Sequence, residues 1–112
     1  MLRGVVQRGT GVRIAKIGKP LAGKTGTSND NIDTWFIGFS PDLAVGVYVG
    51  FDMPRTLGPS DTGSNVAAPI FKTFMEQALA DQPAIPFRRP PGVRLVRINA
   101  VLRAERSRYI ML

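Results

Sequence analysis

Gly18-Lys19-Pro20-Leu21-Ala22-Gly23-Lys24-Thr25-Gly26-Thr27 is the stretch on which the fold turns. Its first eight residues meet every fixed position of the phosphate-loop pattern G-x-x-x-x-G-K-T. Further on, Val47-Tyr48-Val49-Gly50-Phe51-Asp52 looks like an apolar strand ending in a metal-binding aspartate. A phosphate loop works because a helix begins at the lysine and aims its free amides at the anion. Here Gly26-Thr27-Ser28-Asn29-Asp30-Asn31 follows, the poorest helix-starting run in the chain. The strand before such a loop is normally buried and parallel, yet Arg13 and Lys16 interrupt the segment that would supply it. Leu21 to Thr27 therefore reads as a strand, closed by the turn cluster Ser28-Asn29-Asp30-Asn31. The nucleotide-binding reading stays as a third alternative.

Outward from this strand the pattern is antiparallel. In Thr34 to Ser40, Trp35, Ile37 and Phe39 share one face while Phe36, Gly38 and Ser40 share the other. Ser40-Pro41-Asp42 is a tight connection, with Pro41 pre-set for a turn. Leu43 to Phe51 alternates again, Leu43, Val45, Val47, Val49 and Phe51 against Ala44, Gly46, Tyr48 and Gly50. Neither face of that run carries charge, so both are expected to be covered, most simply by helices. Ser64 or Asn65 is placed to cap a helix starting near Val66, with an apolar stripe of Ile70, Phe71, Phe74, Met75, Ala78 and Leu79, ended by Pro83. Upstream, Met1 to Arg8 reads as the end of a helix, with Gly9 as its left-handed cap. Opening inside a helix suggests that residues precede the chain. Val12 to Ile17 is expected to be a short strand or extended segment, and Val93 to Ile98 one more strand. The fold class is α+β, a three-strand antiparallel meander followed by a C-terminal helix. Residues 1–82 form one domain, and 83–112 are a Pro/Arg-rich extension whose prolines make a stiff linker.

Composition narrows the chemistry. The 112 residues include no Cys and no His. That removes disulfide scaffolds, thiolate nucleophiles, Ser-His-Asp triads and nearly all zinc sites. Acid–base work falls to Lys, Asp, Glu, Tyr or hydroxyls. The net charge of +7 is uneven: residues 81–112 hold seven Arg against two acids, residues 1–80 eight Lys/Arg against six. A tail with Arg103, Arg106 and Arg108 suits a small basic module binding nucleic acid or a membrane surface, the runner-up reading; a solvated extension is the plainer one. The longest nearly uncharged apolar run, Leu43 to Phe51, is too short for a membrane-spanning helix, and no export signal is visible.

A Lys-Thr-Gly triplet on an edge strand is one of three motifs of the serine acyl-transferases of the penicillin-binding and β-lactamase type. Each residue has a chemical reason there. A strand edge with free backbone groups pairs with an extended peptide. Lys24 supplies a point charge, and Thr25 and Thr27 supply short hydroxyl donors for a carboxylate. Gly26 leaves no side chain where the strand would press on a nucleophile-bearing helix. The Thr27 amide can stabilise the oxyanion of a tetrahedral intermediate. On three residues alone a polar edge strand is the plainer reading, and the surroundings decide.

Those surroundings run through most of the chain. Met1 to Gly11 resembles the helix and loop before the third motif of class A penicillin-binding proteins. Ala22 to Asp30 resembles their third-motif strand and turn, Trp35 to Pro41 the next strand, and Val47 to Asp52 the last core strand. Thr62-Gly63, Ala67 to Phe71 and Phe74-Met75 resemble the C-terminal helix, and Phe87 with Pro91-Gly92-Val93 the stretch after it. The match covers roughly residues 1–98, in order. The resemblance implies a β-lactamase/transpeptidase-like fold, five antiparallel strands between helix layers. It also implies D,D-transpeptidation of peptidoglycan stem peptides through an acyl-serine that β-lactams also form. By position, Lys24, Thr25 and Thr27 would bind the donor or β-lactam carboxylate, the Thr27 amide would form half the oxyanion hole, and Gly26 would be structural. No cofactor, metal or nucleic-acid partner is implied. As part of a full-length protein the segment would lie in the cell envelope, on the outer, periplasmic face of the cytoplasmic membrane.

The family nucleophile lies in a Ser-x-x-Lys motif. Ser28, Ser40, Ser60, Ser64 and Ser107 are followed three residues on by Asn31, Leu43, Gly63, Ala67 and Ile110. None fits, and Ser-x-Asn is also absent. The chain alone is therefore expected to be inactive, with an exposed sheet face, open edges and marginal stability. Asp30, Asn31 and Asp33 lack the spacing of a calcium loop and read as a turn. Trp35 and Phe36 read as core, and Tyr48, among small residues, as a side chain whose hydroxyl reaches an edge.

Overall fold

The computed structural model describes residues 1–98 and 108–111. Helix α1 spans Leu2–Arg8 and is followed by a 3-10 helix over Val12–Ile17. Strands β1 (Ala22–Thr27), β2 (Thr34–Phe39) and β3 (Ala44–Val49) form an antiparallel sheet in chain order. Helix α2 covers Ala67–Ala78. Strand β4 (Leu95–Ile98) pairs antiparallel with β5 (Arg108–Met111). The three strands and the start of the helix after them match the alternation in the sequence to within a residue or two. The tail residues Arg103 and Arg106 lie outside the described residues.

Cross-strand register places Thr25 opposite Phe36, which faces Val47, and Thr27 opposite Thr34, which faces Val49. Partners across a ladder share a face. One face of the sheet thus carries Thr25, Thr27, Thr34, Phe36, Gly38 and the three β3 valines; the other carries Lys24, Gly26, Trp35, Ile37, Gly46 and Tyr48. The first face is the core. Val6, Ile14, Leu21, Phe36, Ala67, Ala68, Phe71 and Met75 are buried in one cluster, with Val45 and Val47 packed at its margin. Phe36 and Phe71 meet with ring centroids 4.7 Å apart and tilted planes. Each fully buried ring contributes about 1.5–3 kcal/mol of transfer free energy. Gly38 makes that contact possible, because a Cβ there would sit 2.7 Å from the Phe71 ring and 2.8 Å from that of Phe36.

The second face is open among the described residues, with Trp35, Ile37 and Tyr48 all about half exposed. The exposed sheet face expected of the chain alone is thus present, and the reading of both β3 faces as covered does not hold among the described residues. Charge-free small residues allow cover but do not supply it, and α1, the 3-10 helix and α2 all serve the valine face. Trp35 is likewise not core, whereas Phe36 is.

Three local expectations also change. Val12–Ile17 is a 3-10 helix rather than a strand: Ile14 is buried, Ile17 lies a turn further on, and Val12 is exposed. The left-handed glycine is Gly18 (φ 73°), which ends that 3-10 helix, and not Gly9, whose φ of −109° is extended. Gly9 is instead a point of close approach, its N–H bonding Val5 O at 3.0 Å. Helix α2 has no side-chain cap from Ser64 or Asn65. Its buried residues are Ala67, Ala68, Phe71 and Met75, while Ile70 and Phe74 point to solvent. It ends at Ala78, five residues before Pro83. The proline-rich segment beyond returns to the sheet. Phe87 packs edge-on against Phe39 at 5.6 Å, under the Arg3 guanidinium, and Arg88 reaches Asp42 at 3.2 Å.

Candidate functional site

The hydrogen-bond parity of the sheet fixes which backbone groups of β1 are free. In an antiparallel pair, opposed residues alternate between those that exchange backbone bonds and those that do not. Ser28 N–H donates to Asp33 O at 3.0 Å, and Ser40 N–H donates to Leu43 O at 2.8 Å. Stepping by two from the first bond, Gly26–Trp35, Lys24–Ile37 and Ala22–Phe39 are bonded pairs. Stepping from the second, Gly38–Val45, Phe36–Val47 and Thr34–Val49 are the bonded pairs between β2 and β3. The two series use alternate residues of β2, as a central strand requires. The amides and carbonyls of Gly23, Thr25 and Thr27 therefore point away from β2, along the edge of β1 that pairs with no other strand among the described residues. The segment is a strand ending in a turn, and no helix starts at Lys24. The phosphate-loop reading is thereby corrected: the Walker-like spacing lies on extended backbone that presents every second amide, not a converging set.

Side chains from both faces of the strand border the same edge. Lys24 rises from the open face, and its ammonium donates to the outward Thr25 carbonyl at 2.8 Å. Thr25 Oγ1 lies 3.0 Å from Thr10 Oγ1 in the loop after α1. Thr27 Oγ1 accepts the backbone N–H of Gly63 at 3.0 Å. A Cβ on Gly26 would meet only Trp35 Cβ, at 3.4 Å, so its vacant side faces the open sheet surface. The structure thus brings Lys24, Thr25, Gly26 and Thr27 together as one edge bearing an ammonium, two hydroxyls and free amides. Such an edge can pair with an extended chain and hold an anion. Thr10 and Gly63 are additions that the strand pattern does not reveal; Thr62-Gly63 stood out in the sequence without a task.

The turn after Thr27 is held from outside. Asp30 and Asn31 adopt left-handed backbone (φ 58° and 51°), and the Asn31 amide donates to Gly58 O at 2.8 Å and Pro59 O at 3.0 Å. Asp33 instead accepts the Tyr48 hydroxyl at 2.7 Å. These acidic and amide groups diverge, as a turn reading requires. Asp33 holds the Tyr48 phenol above its ordinary value of about 10, first through that hydrogen bond, then with burial and the charges of Asp33 and Asp52. Trp35 packs against Tyr48 with ring centroids 4.8 Å apart and planes tilted by 50°. A separate cavity of about 270 Å³ lies at the far end of the sheet, between the β2–β3 turn and the end of α2. Its lining includes Lys19, Pro41, Asp42, Leu43 and Leu79, and Asp42 there pairs with Arg88 at 3.2 Å.

Comparison with known proteins agrees with this geometry. Residues 1–76 match the family described as the penicillin binding protein transpeptidase domain. The chain belongs to that family. Its relatives include penicillin-binding protein 1A of Rickettsia typhi, 51% identical over 100 residues that make up 89% of this chain and 13% of the relative. The 1A protein of Pseudomonas aeruginosa is 46% identical over 102 residues, 90% of this chain and 12% of the relative. A 2.6 Å crystal structure of penicillin-binding protein 1A from Haemophilus influenzae superposes with a TM-score of 0.84 at 32% identity, covering 98% of this chain and 18% of that one. The chain thus spans only about an eighth of the curated relatives it matches.

Proposed function

We propose that this chain supplies the Lys-Thr-Gly side of a D,D-transpeptidase site that cross-links peptidoglycan stem peptides through an acyl-serine. The nucleophile comes from a different segment. The supporting observation is the parity of β1, which turns the Thr25 and Thr27 backbone outward beside the Lys24 ammonium. In this reading an extended donor peptide, or a β-lactam, lies along the edge. Lys24 and the Thr25 and Thr27 hydroxyls hold its carboxylate, which charge-assisted bonds favour. The Thr27 N–H supplies one of two donors for the oxyanion of the tetrahedral intermediate. Gly26 keeps the open face flat where the nucleophile-bearing segment docks over Trp35, Ile37 and Tyr48. No Ser-x-x-Lys is present, so no base stands ready to activate a serine of this chain. The site works in the cell envelope, on the outer face of the cytoplasmic membrane, with stem peptide as its partner and without a cofactor.

The test joins this segment to its missing complement. Residues 1–98 replace the matching segment of the Pseudomonas relative, and acylation by a fluorescent penicillin is timed. The chimera should acylate, and Lys24→Ala should slow it by about a hundredfold, the scale of losing a charge-assisted contact to a carboxylate. Acylation unchanged by Lys24→Ala would refute the proposal.

A further inference from the structure

We infer that Gly63, 36 residues beyond Thr27, is a positioning residue for the β1 edge: its backbone N–H commits the Thr27 hydroxyl to donate into the site. The inference rests on the reading of that edge as a carboxylate-binding and oxyanion-binding surface. A hydroxyl has one proton to give and two lone pairs to receive. Thr27 Oγ1 receives the Gly63 N–H at 3.0 Å. An amide N–H cannot accept, so the Thr27 proton is turned away from Gly63. The cross-strand neighbour Thr34 does not claim it either, because the buried Thr34 Oγ1 has no hydrogen-bond partner among the described residues. What remains for Thr27 is to donate outward, the polarity that an anionic ligand needs. A free threonine on an exposed strand would sample rotamers of both polarities; this one is held in one.

Gly63 is in turn fixed from both sides. A Cβ there would lie 2.6 Å from the carbonyl oxygens of both Gly26 and Trp35, and 3.2 Å from Gly26 N, so the loop backbone rests directly on the bonded Gly26–Trp35 pair. Its own carbonyl accepts Ala68 N–H at 2.8 Å, tying it to the first turn of α2. Thr62 O accepts the amides of Asn65 and Val66. The start of α2, the Gly63 amide, the Thr27 hydroxyl and the Gly26 backbone therefore form one continuous chain of contacts. Any side chain at position 63 must lift the loop off the pair, moving the donor away from the Thr27 hydroxyl.

Two experiments test this. In the full 112-residue chain, deuterium exchange at the Gly63 amide is followed by NMR in wild type, Thr27→Ser and Thr27→Val. Protection should persist in T27S and fall by about tenfold or more in T27V, since one modest hydrogen bond holds that amide. In the chimera, penicillin acylation is measured for Gly63→Ala, Thr27→Val and the double variant, with Thr27→Ser as the conservative rescue. Gly63→Ala should slow acylation by about tenfold or more in the wild-type background and by less than about twofold in T27V, because a residue acting through Thr27 has nothing left to act on. T27S should stay near wild type. Equal exchange in wild type and T27V, or the same loss from Gly63→Ala in both backgrounds, would overturn the inference. A wild-type chimera that does not acylate would overturn the reading of the site and this role with it, and the exchange experiment would still tell whether the bond exists.

Discussion

Phe71 and Phe74 lie one turn apart on α2, and replacing each with alanine separates the packing described above from a generic apolar helix. Phe71 is fully buried against Phe36 and Gly38, whereas Phe74 is 51% exposed. Removing a buried phenylalanine costs about 3–5 kcal/mol in lost transfer energy and residual cavity. That includes about 0.5–1.5 kcal/mol of ring–ring interaction with Phe36. Removing Phe74 should cost under about 1 kcal/mol, as for a surface position. With a urea dependence of about 1–3 kcal/mol per molar, Phe71→Ala lowers the unfolding midpoint by about 2 M, or leaves the chain unfolded without denaturant. Phe74→Ala shifts it by less than about 0.5 M. Trp35, the single tryptophan, packs against Tyr48 on the opposite face and reports unfolding by fluorescence without touching either site. Equal losses from the two substitutions would refute the assignment of the core to the valine face.

Two sheet glycines make a second contrast. Gly38→Ala collides with the Phe36 and Phe71 rings and should cost about 1–3 kcal/mol. Gly46→Ala meets only Ile37 Cγ1, at 3.8 Å, and should be neutral or gain up to about 1 kcal/mol, read from the same urea curves. Tyr48 predicts an alkaline dependence. Its folded-state value is raised, so its contribution is fully present below the unfolded value of about 10 and is lost as pH rises through the higher folded value. Tyrosinate absorbance should show Tyr48 titrating late, and Asp33→Asn should bring it earlier; an unchanged titration in that variant would remove Asp33 as the cause.

The strands were legible because period-2 alternation is a local signal. Trp35/Ile37 against Phe36/Gly38 fixes the two faces before any contact is known. Which face is covered is a property of the other elements, and nothing in β3 announces that α2 packs on its valine face while α1 and the 3-10 helix complete the same core. Val12–Ile17 shows the limit of a six-residue pattern: Val12 and Ile14 fit a strand while Ile14 and Ile17 fit a helical turn, and burial of Ile14 decides. On α2, Ile70 and Phe74 share the helical spacing of the buried residues, so periodicity alone drew the stripe too wide. Lys24, Thr25, Gly26 and Thr27 were visible as an edge-strand motif. Their supports, Gly63 and Thr10, were not, because contacts spanning 36 and 15 residues leave no periodic trace.

The central claim is that this chain provides one side of an acyl-transfer site and not the attacking group. Intact-mass measurement after β-lactam treatment tests it most directly. The 112-residue chain alone should gain no covalent mass, while the chimera should gain one adduct that peptide mapping places on a serine outside residues 1–98. An adduct on Ser28, Ser40, Ser60 or Ser64 would contradict the account.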